Sequence, residues 1–299
     1  MAIEELPTQR CFICNGTEFH KFLRLNDYFL SQEVFELCKC LTCGLLYTLP
    51  QPDPESIIKY YNSNEYTSHN TAQRSLKNLL YLQARKIALG RKMQMIKEHQ
   101  EIGQILDIGA GTAEFLNYCR KQKWNITGVE PNAKGREIAF ERHGIILQHE
   151  VDLSILEKGS MDVITMWHVL EHIADPLSQL ELNYQLLNNK NGMLVLALPN
   201  YESWDAKKYG KFWAAYDVPR HLYHFTKESV KLLAEKSGFR IVEIHPMKFD
   251  SFYICLLSEK YKHGKMNYVK AFANGIRSNS LAKKDSFGYS SLVYLLKKA

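Results

Sequence analysis

From Gly103 onward the chain alternates short apolar runs with helical patterns, and this rhythm restricts its 299 residues more than any other feature. The runs at 104–108, 126–129, 145–147, 162–166 and 193–198 are each too short for a core helix and rich in β-branched and aliphatic residues. Helical patterns over 112–121 and 134–142 separate several of them. Strands joined by crossovers of that length pair in parallel with helices on both faces, so an α/β fold is expected. A further helix is predicted over 226–236, with Thr226 as N-cap and Ser237-Gly238 as its stop. Two late strands follow at 240–244 and 291–296, separated by a helical insert at about 250–288.

The first strand runs into a helix through Asp107-Ile108-Gly109-Ala110-Gly111-Thr112-Ala113. Gly109 and Gly111 remove side chains where the backbone turns sharply and a ligand approaches, and Ala113 is still small enough for helix and strand to touch. Dinucleotide folds share such a turn, so the acids around it decide the reading. Asp107 puts a carboxylate at the end of strand one, where a diphosphate would be repelled and an ammonium group attracted. Glu130 ends strand two, where a carboxylate accepts hydrogen bonds from ribose hydroxyls. A cofactor with an amino acid at one end and a ribose in the middle suits both, which points to S-adenosylmethionine.

Five of seven cysteines lie in the first 43 residues. The pairs Cys11/Cys14 and Cys40/Cys43 form a zinc-ribbon pattern, each closely followed by glycine, and four thiolates hold zinc with no position left for water, so the metal is expected to be structural. Cys38 reads as an exposed thiol or a poor alternative ligand, and Cys119 and Cys255 as core residues. Three prolines at Pro50, Pro52 and Pro54 mark a boundary, followed by an amphipathic helical pattern up to His99.

The stretch 105–116 with Glu130, and then Asp162-Val163-Ile164-Thr165-Met166-Trp167-His168-Val169-Leu170-Glu171-His172, resembles the class I SAM-dependent methyltransferases in the Methyltransf_23 and ubiquinone-biosynthesis-like branch. The cysteine segment is similar to the zinc-binding N-terminus of sugar and polysaccharide-locus methyltransferases. The resemblance implies a Rossmann-like seven-stranded sheet of order 3-2-1-4-5-7-6, strand seven antiparallel. It also implies that Asp107, Gly109 and Gly111 surround the methionine part of the cofactor, Glu130 the ribose and Asp152 the adenine amine. Met166, Trp167 and His168 would line the cofactor and acceptor sides. The organisation expected is a zinc-ribbon-like module over 1–50, a helical linker or lid over 51–100, and the methyltransferase domain over 101–299.

Methyl transfer from a sulfonium needs alignment in a dry pocket, and a base only where the acceptor loses a proton. His168, His221 and His224 are the candidate bases; His168 and His172, four apart on a predicted helix, also suit a metal, but no third ligand is in view. Trp213, Tyr216 and Arg220 are candidate acceptor contacts, Arg220 offering a fork for phosphate or carboxylate. From Leu257 to Ala299 there are nine Lys/Arg against two Asp/Glu, so the net +6 belongs to the C-terminal segment. The expected acceptor is therefore a small metabolite, methylated on O or C, with an anionic compound such as a nucleotide-activated sugar favoured. No nucleic-acid or membrane partner is expected, and the oligomeric state is open. An RNA-modifying methyltransferase with a zinc-ribbon RNA-binding module and a catalytically silent SAM-fold partner are the alternative readings. No apolar run nears the ~20 residues of a membrane span and the N-terminus lacks signal-peptide features, so a cytoplasmic location is expected.

Overall fold

Two sheets carry the fold in the computed structural model, which describes residues 10–53, 55–61, 76–149, 153, 155–285 and 287–299. The larger is mixed. Its strands are β4 (Gln104–Ile108), β5 (Asn125–Val129), β6 (Val163–Trp167), β7 (Met193–Pro199), β9 (Phe239–Pro246) and β10 (Ser291–Lys298), in the order β5-β4-β6-β7-β10-β9. The first four run parallel, while β10 is antiparallel to both neighbours. All of β7 is buried, as a strand covered on both faces must be. The helices are α1 (Leu76–Lys97), α2 (Glu114–Lys121), α3 (Ala133–His143), α4 (Pro176–Leu186), α5 (Trp204–Tyr209) and α6 (Lys227–Lys236), with α7 (Asp250–His263) and α8 (Tyr268–Asp285) forming the insert before β10.

The run at 145–147, expected as an edge strand, makes one rung only: Gln148 bridges Val129 in parallel. Its alternation survives, with Ile145 and Leu147 buried and Ile146 80% exposed. Strand periodicity here outlasts the hydrogen-bond ladder. The N-cap of α6 is as expected, and the Thr226 and Ser229 side-chain oxygens each accept the other's backbone N–H in a capping box.

The second sheet is antiparallel, β1 (Phe19–Asn26), β2 (Val34–Cys40), β3 (Leu46–Leu49) and β8 (Tyr223–His224), in that order. Cys38 is fully buried on β2 rather than exposed, and Cys119 and Cys255 are core residues. The last strand is borrowed from the loop after β7, so two residues stitch the cysteine segment to the region around the larger sheet. Side chains reinforce the seam. Thr48 Oγ1 donates to the carbonyl of His221 at 2.6 Å, and Thr226 Oγ1 to that of Cys43 at 3.2 Å.

Arg220 closes the seam. It is 1% exposed, its Nη2 meets Asp27 Oδ1 and Asp217 Oδ1 at 2.8 Å each, and its Nη1 donates to the carbonyl of Tyr60 at 3.0 Å. Asp27, in the β1–β2 turn, also accepts the backbone N–H groups of Phe29, Leu30 and Ser31. Removing one member of such a pair strands the other charge out of water. Arg220→Leu is expected to lower unfolding free energy by about 3–5 kcal/mol in urea titration, with Arg220→Lys recovering little because it lacks the fork; a loss under about 1 kcal/mol, the range of an exposed pair, would show that the seam does not depend on it.

Candidate active site

The carboxyl ends of β4, β5 and β6 converge on the glycine turn. Gly109, Gly111 and Ala113 all have positive φ, of 70°, 56° and 58°. A Cβ on Gly109 would lie 2.5 Å from Val169 Cγ2, whereas one on Gly111 would meet nothing within 4 Å. The first glycine therefore serves packing and the second faces open space. Glu130 Oε2 accepts the N–H of Gly111 at 2.7 Å and Oε1 that of Asn132 at 2.9 Å, so one carboxylate spans the turn and the start of α3.

Asp107 is buried, and Thr165 Oγ1 donates to it at 2.5 Å. Burial outweighs that bond and the field of Lys92, raising its carboxyl to about 7. Lys92 comes from α1, its ammonium 3.9 Å from the Trp167 ring centroid. Burial lowers it to about 8 against the pull of Asp107 and Asp250. The Trp167 indole N–H is buried with no hydrogen-bond partner among the described residues. An acid lacking a full counter-charge, an open glycine and an orphaned donor are what an aminoacyl nucleoside would satisfy. Met166 is different: its side chain is in the core, where Asn183 Nδ2 donates to its sulfur at 3.3 Å. Asp152 lies outside the described residues.

After β6 the chain does not continue as a helix. His168 has φ 58°, and a 3-10 turn, Leu170–His172, follows, so the spacing of four does not put His168 and His172 on one α-helical face. His168 Nε2 instead meets Asp250 Oδ2 at 2.9 Å and its Nδ1 faces Glu171 Oε1 at 3.4 Å. Burial works against its charge, but the hydrogen bond to Asp250 and the facing carboxylate of Glu171 hold the imidazolium up to about 10. At neutral pH it is a cation.

Glu171 is 1% exposed and neither oxygen accepts a hydrogen bond among the described residues. Burial would raise it, yet His168, with His221 and His172 nearby, keeps its carboxyl below the usual range. His221 Nδ1 donates to the carbonyl of Ala215 at 2.9 Å, leaving the Nε2 lone pair 3.9 Å from Glu171 Oε1. Burial, and then His172, push its pKa down to about 4, so it is neutral. The His172 ring is 4.6 Å from that of His221, and its Nδ1 lies 3.0 Å from the Tyr61 hydroxyl. Glu171, His172 and His221 thus offer ligand-type atoms within 4.8 Å of one another.

The structure does not bring the other expected contacts into this group. Arg220 is committed to Asp27 and Asp217, and the Trp213 indole donates to buried Asp205 at 2.7 Å. Tyr216 packs edge-on to Trp213. His224 is buried beside Thr48 Oγ1 at 3.2 Å, and burial holds it well below its ordinary pKa. Lys92, Glu171 and Asp250 are the functional groups that sequence reasoning missed.

At the far end of β3, the four sulfurs of Cys11, Cys14, Cys40 and Cys43 lie within 4.8 Å of one another, with Cys11–Cys43 at 3.6 Å and Cys14–Cys40 at 3.5 Å. Tetrahedral Zn–S bonds of ~2.3 Å place sulfurs ~3.8 Å apart, so the cluster fits zinc.

Residues 74–244 match the sequence model of a family described as a methyltransferase domain. A ubiquinone biosynthesis O-methyltransferase of Cupriavidus pinatubonensis is 23% identical over 185 residues, covering 56% of this chain and 72% of that protein. An uncharacterized methyltransferase of Bacillus cytotoxicus is 25% identical over 154 residues, 48% of this chain and 72% of its own. Among solved structures, a SAM-dependent methyltransferase from Archaeoglobus fulgidus superposes with a TM-score of 0.50 at 21% identity, covering 75% of this chain and all of that one.

Two measurements follow from this geometry. Elemental analysis should find about one zinc per chain, lost in Cys40→Ser; none in the wild type would remove the metal reading. For His168, a folded pKa near 10 against an ordinary 6.5 means its contribution is complete below pH ~6.5 and disappears as pH rises toward 10. The stability advantage of wild type over His168→Gln should shrink across that window in urea titrations; an advantage that grows with pH would mean the ring is held neutral.

Proposed function

The chain belongs to the methyltransferase-domain family, and from that premise we propose that it carries the methyl group of S-adenosylmethionine to an oxygen or carbon of a small metabolite. The observation that carries this reading is the pair Asp107 and Glu130 at neighbouring strand ends, on either side of a glycine turn whose Gly111 faces open space. When bound, S-adenosylmethionine supplies a methyl group on a positively charged sulfur, and that charge is lost as the methyl leaves.

This chain's residues then divide the work. Asp107 takes the ammonium group, which draws its carboxyl back toward ionisation. Glu130 takes ribose hydroxyls, Trp167 offers its unpaired indole N–H, and Asp152 is assigned to the adenine amine by resemblance alone. Met166 contributes backbone only. On the acceptor side His221 suits proton removal: it is neutral, its tautomer is set by the Ala215 carbonyl, and Glu171 stands ready to balance the imidazolium it would become. His168 is already charged, its ring nitrogens facing Asp250 and Glu171, and serves as a fixed positive charge rather than a base; His224 supports the seam.

An anionic acceptor, such as a nucleotide-activated sugar, would meet His168 and Lys92, because Arg220 is engaged elsewhere. Arg220, Trp213 and Tyr216 in this reading position the loop that carries His221. Residues 1–50 act as a zinc-stapled module on that loop, and 51–100 act as a lid that supplies Tyr61 and Lys92 to the domain at 101–299.

Calorimetry with S-adenosylmethionine tests the cofactor half: wild type should bind, Asp107→Ala at least about tenfold more weakly, a lost charge-assisted contact being worth ~1.5–3 kcal/mol. His221→Asn should leave that affinity intact while lowering turnover about 10²- to 10⁴-fold, followed as labelled methyl transferred across a panel of nucleotide sugars. No heat with wild type would end the enzyme reading, and full turnover in His221→Asn would move the base elsewhere.

A further inference from the structure

Helix α8 is built inside out. Its inner face carries Ala271, Gly275, Ser278 and Ala282, at helical spacing, the three with side chains each no more than 2% exposed. All four are small. A Cβ on Gly275 would come within 2.6 Å of the Phe252 ring of α7, and Ser278 Oγ donates to buried Asp205 at 2.7 Å, so this face is locked in place by close approach rather than by large apolar side chains. The large apolar groups point out. Val269 is 83% exposed and Phe272 61%, and Ile276 follows on the same stripe at a spacing of four. The exposed Tyr268 on α8 and Tyr253 on α7 extend the surface.

A helix of this composition gains little by folding against the core and leaves its main hydrophobic content in water. Cations run beside it. Lys270, Arg277 and Lys284 recur every seven residues along one flank of the apolar stripe; Lys270 is paired with Glu259 at 3.3 Å and Arg277 lies over the Trp204 ring, while Lys284, with Lys262 and Lys265 where α7 turns into α8, is exposed. Across 250–285 there are seven Lys/Arg and three acids, of which Glu259 is buried and Asp250 is bound to His168. The surface that remains is apolar and cationic.

We propose that the α7–α8 insert docks on a membrane surface rich in anionic lipid, with Val269, Phe272 and Ile276 entering the headgroup boundary and Lys262, Lys265 and Lys284 reaching the phosphates. A stripe of aliphatic and aromatic side chains bordered by cations is the arrangement that lies in a lipid interface. A second copy fits less well, since a twofold pairing of this face would set one cationic row against another. No helix among the described residues is long and apolar enough to cross a membrane, so the contact is peripheral. The proposal departs from the expectation of no membrane partner, and it gives the C-terminal basic excess a role independent of the methyl acceptor.

The test is sedimentation of the full chain with phosphatidylcholine vesicles, with and without phosphatidylglycerol. The wild type should partition onto the anionic vesicles only, and should be released as salt is raised and the screening length falls from about 10 Å to about 3 Å. Val269→Ser with Phe272→Ser should weaken binding more than about tenfold, and Lys265→Glu and Lys284→Glu at least about fivefold each. These side chains are exposed, so unchanged circular dichroism and unfolding midpoint are expected and separate lost docking from lost folding. Failure of the wild type to bind anionic vesicles would overturn the proposal. So would binding that survives the Val269/Phe272 change, or a wild-type dimer that the same change converts to monomer without any vesicle binding.

Discussion

A carboxylate taken out of water costs several kcal/mol unless hydrogen bonds or charge are returned to it, and this chain buries such groups at each of its joints. Asp27 receives three backbone N–H groups and Arg220. Asp205 receives the Trp213 indole and the hydroxyls of Ser278 and Ser290, which fixes α5, α8 and the start of β10 to one point. These acids are fully provided for, and they hold the molecule together. Asp107 and Glu171 are less well supplied: one has a single hydroxyl donor, the other no hydrogen bond among the described residues, with the His168 imidazolium 3.4 Å away as its counter-charge. The difference separates scaffold from site. A protein keeps an under-satisfied buried acid where a ligand or a transient charge will complete it, and both of these stand at the carboxyl ends of parallel strands.

The same contrast explains what could be read from the chain. The α/β rhythm, the capping box of α6 and the glycine turn are local: each needs partners only a few residues away, such as Thr226 with Ser229. The cysteine cluster was legible because thiolates at two CxxC pairs have few other uses. Arg220 was misjudged because its partner Asp27 is 193 positions distant, and nothing near Arg220 in sequence says that its fork is already filled. Lys92 falls on the flank of the apolar stripe formed by Leu89, Met93 and Ile96, where a lysine ordinarily extends its ammonium to water; only the fold brings it to Trp167 and the field of Asp107. His168 and His172 looked like a helical pair, and a single positive φ at His168 removes that geometry.

The borrowed strand β8 ties these levels together. Two residues, Tyr223 and His224, complete the cysteine-bearing sheet, and His221 and Arg220 lie immediately before them. Through Thr48 and Gln51 the first 51 residues hold the backbone of the loop that carries His221. A metal held by the two cysteine turns would therefore act on the imidazole by way of backbone hydrogen bonds, without approaching it.

The insert is connected to the same centre by a different route. Asp250, the first residue of α7, is one of two carboxylates that keep His168 charged, Glu171 being the other, so the orientation of α7 bears on the charge of that imidazole. A force that shifted the insert, as docking on a surface would, acts first on that ion pair. Lengthening the contact weakens the hold on the proton, and an imidazole whose pKa falls from about 10 toward its ordinary 6.5 is no longer a fixed cation at neutral pH. The insert lies between the last two strands and its own first residue, Asp250, is the partner of His168, so a surface that met the insert would have a short mechanical path to that imidazole.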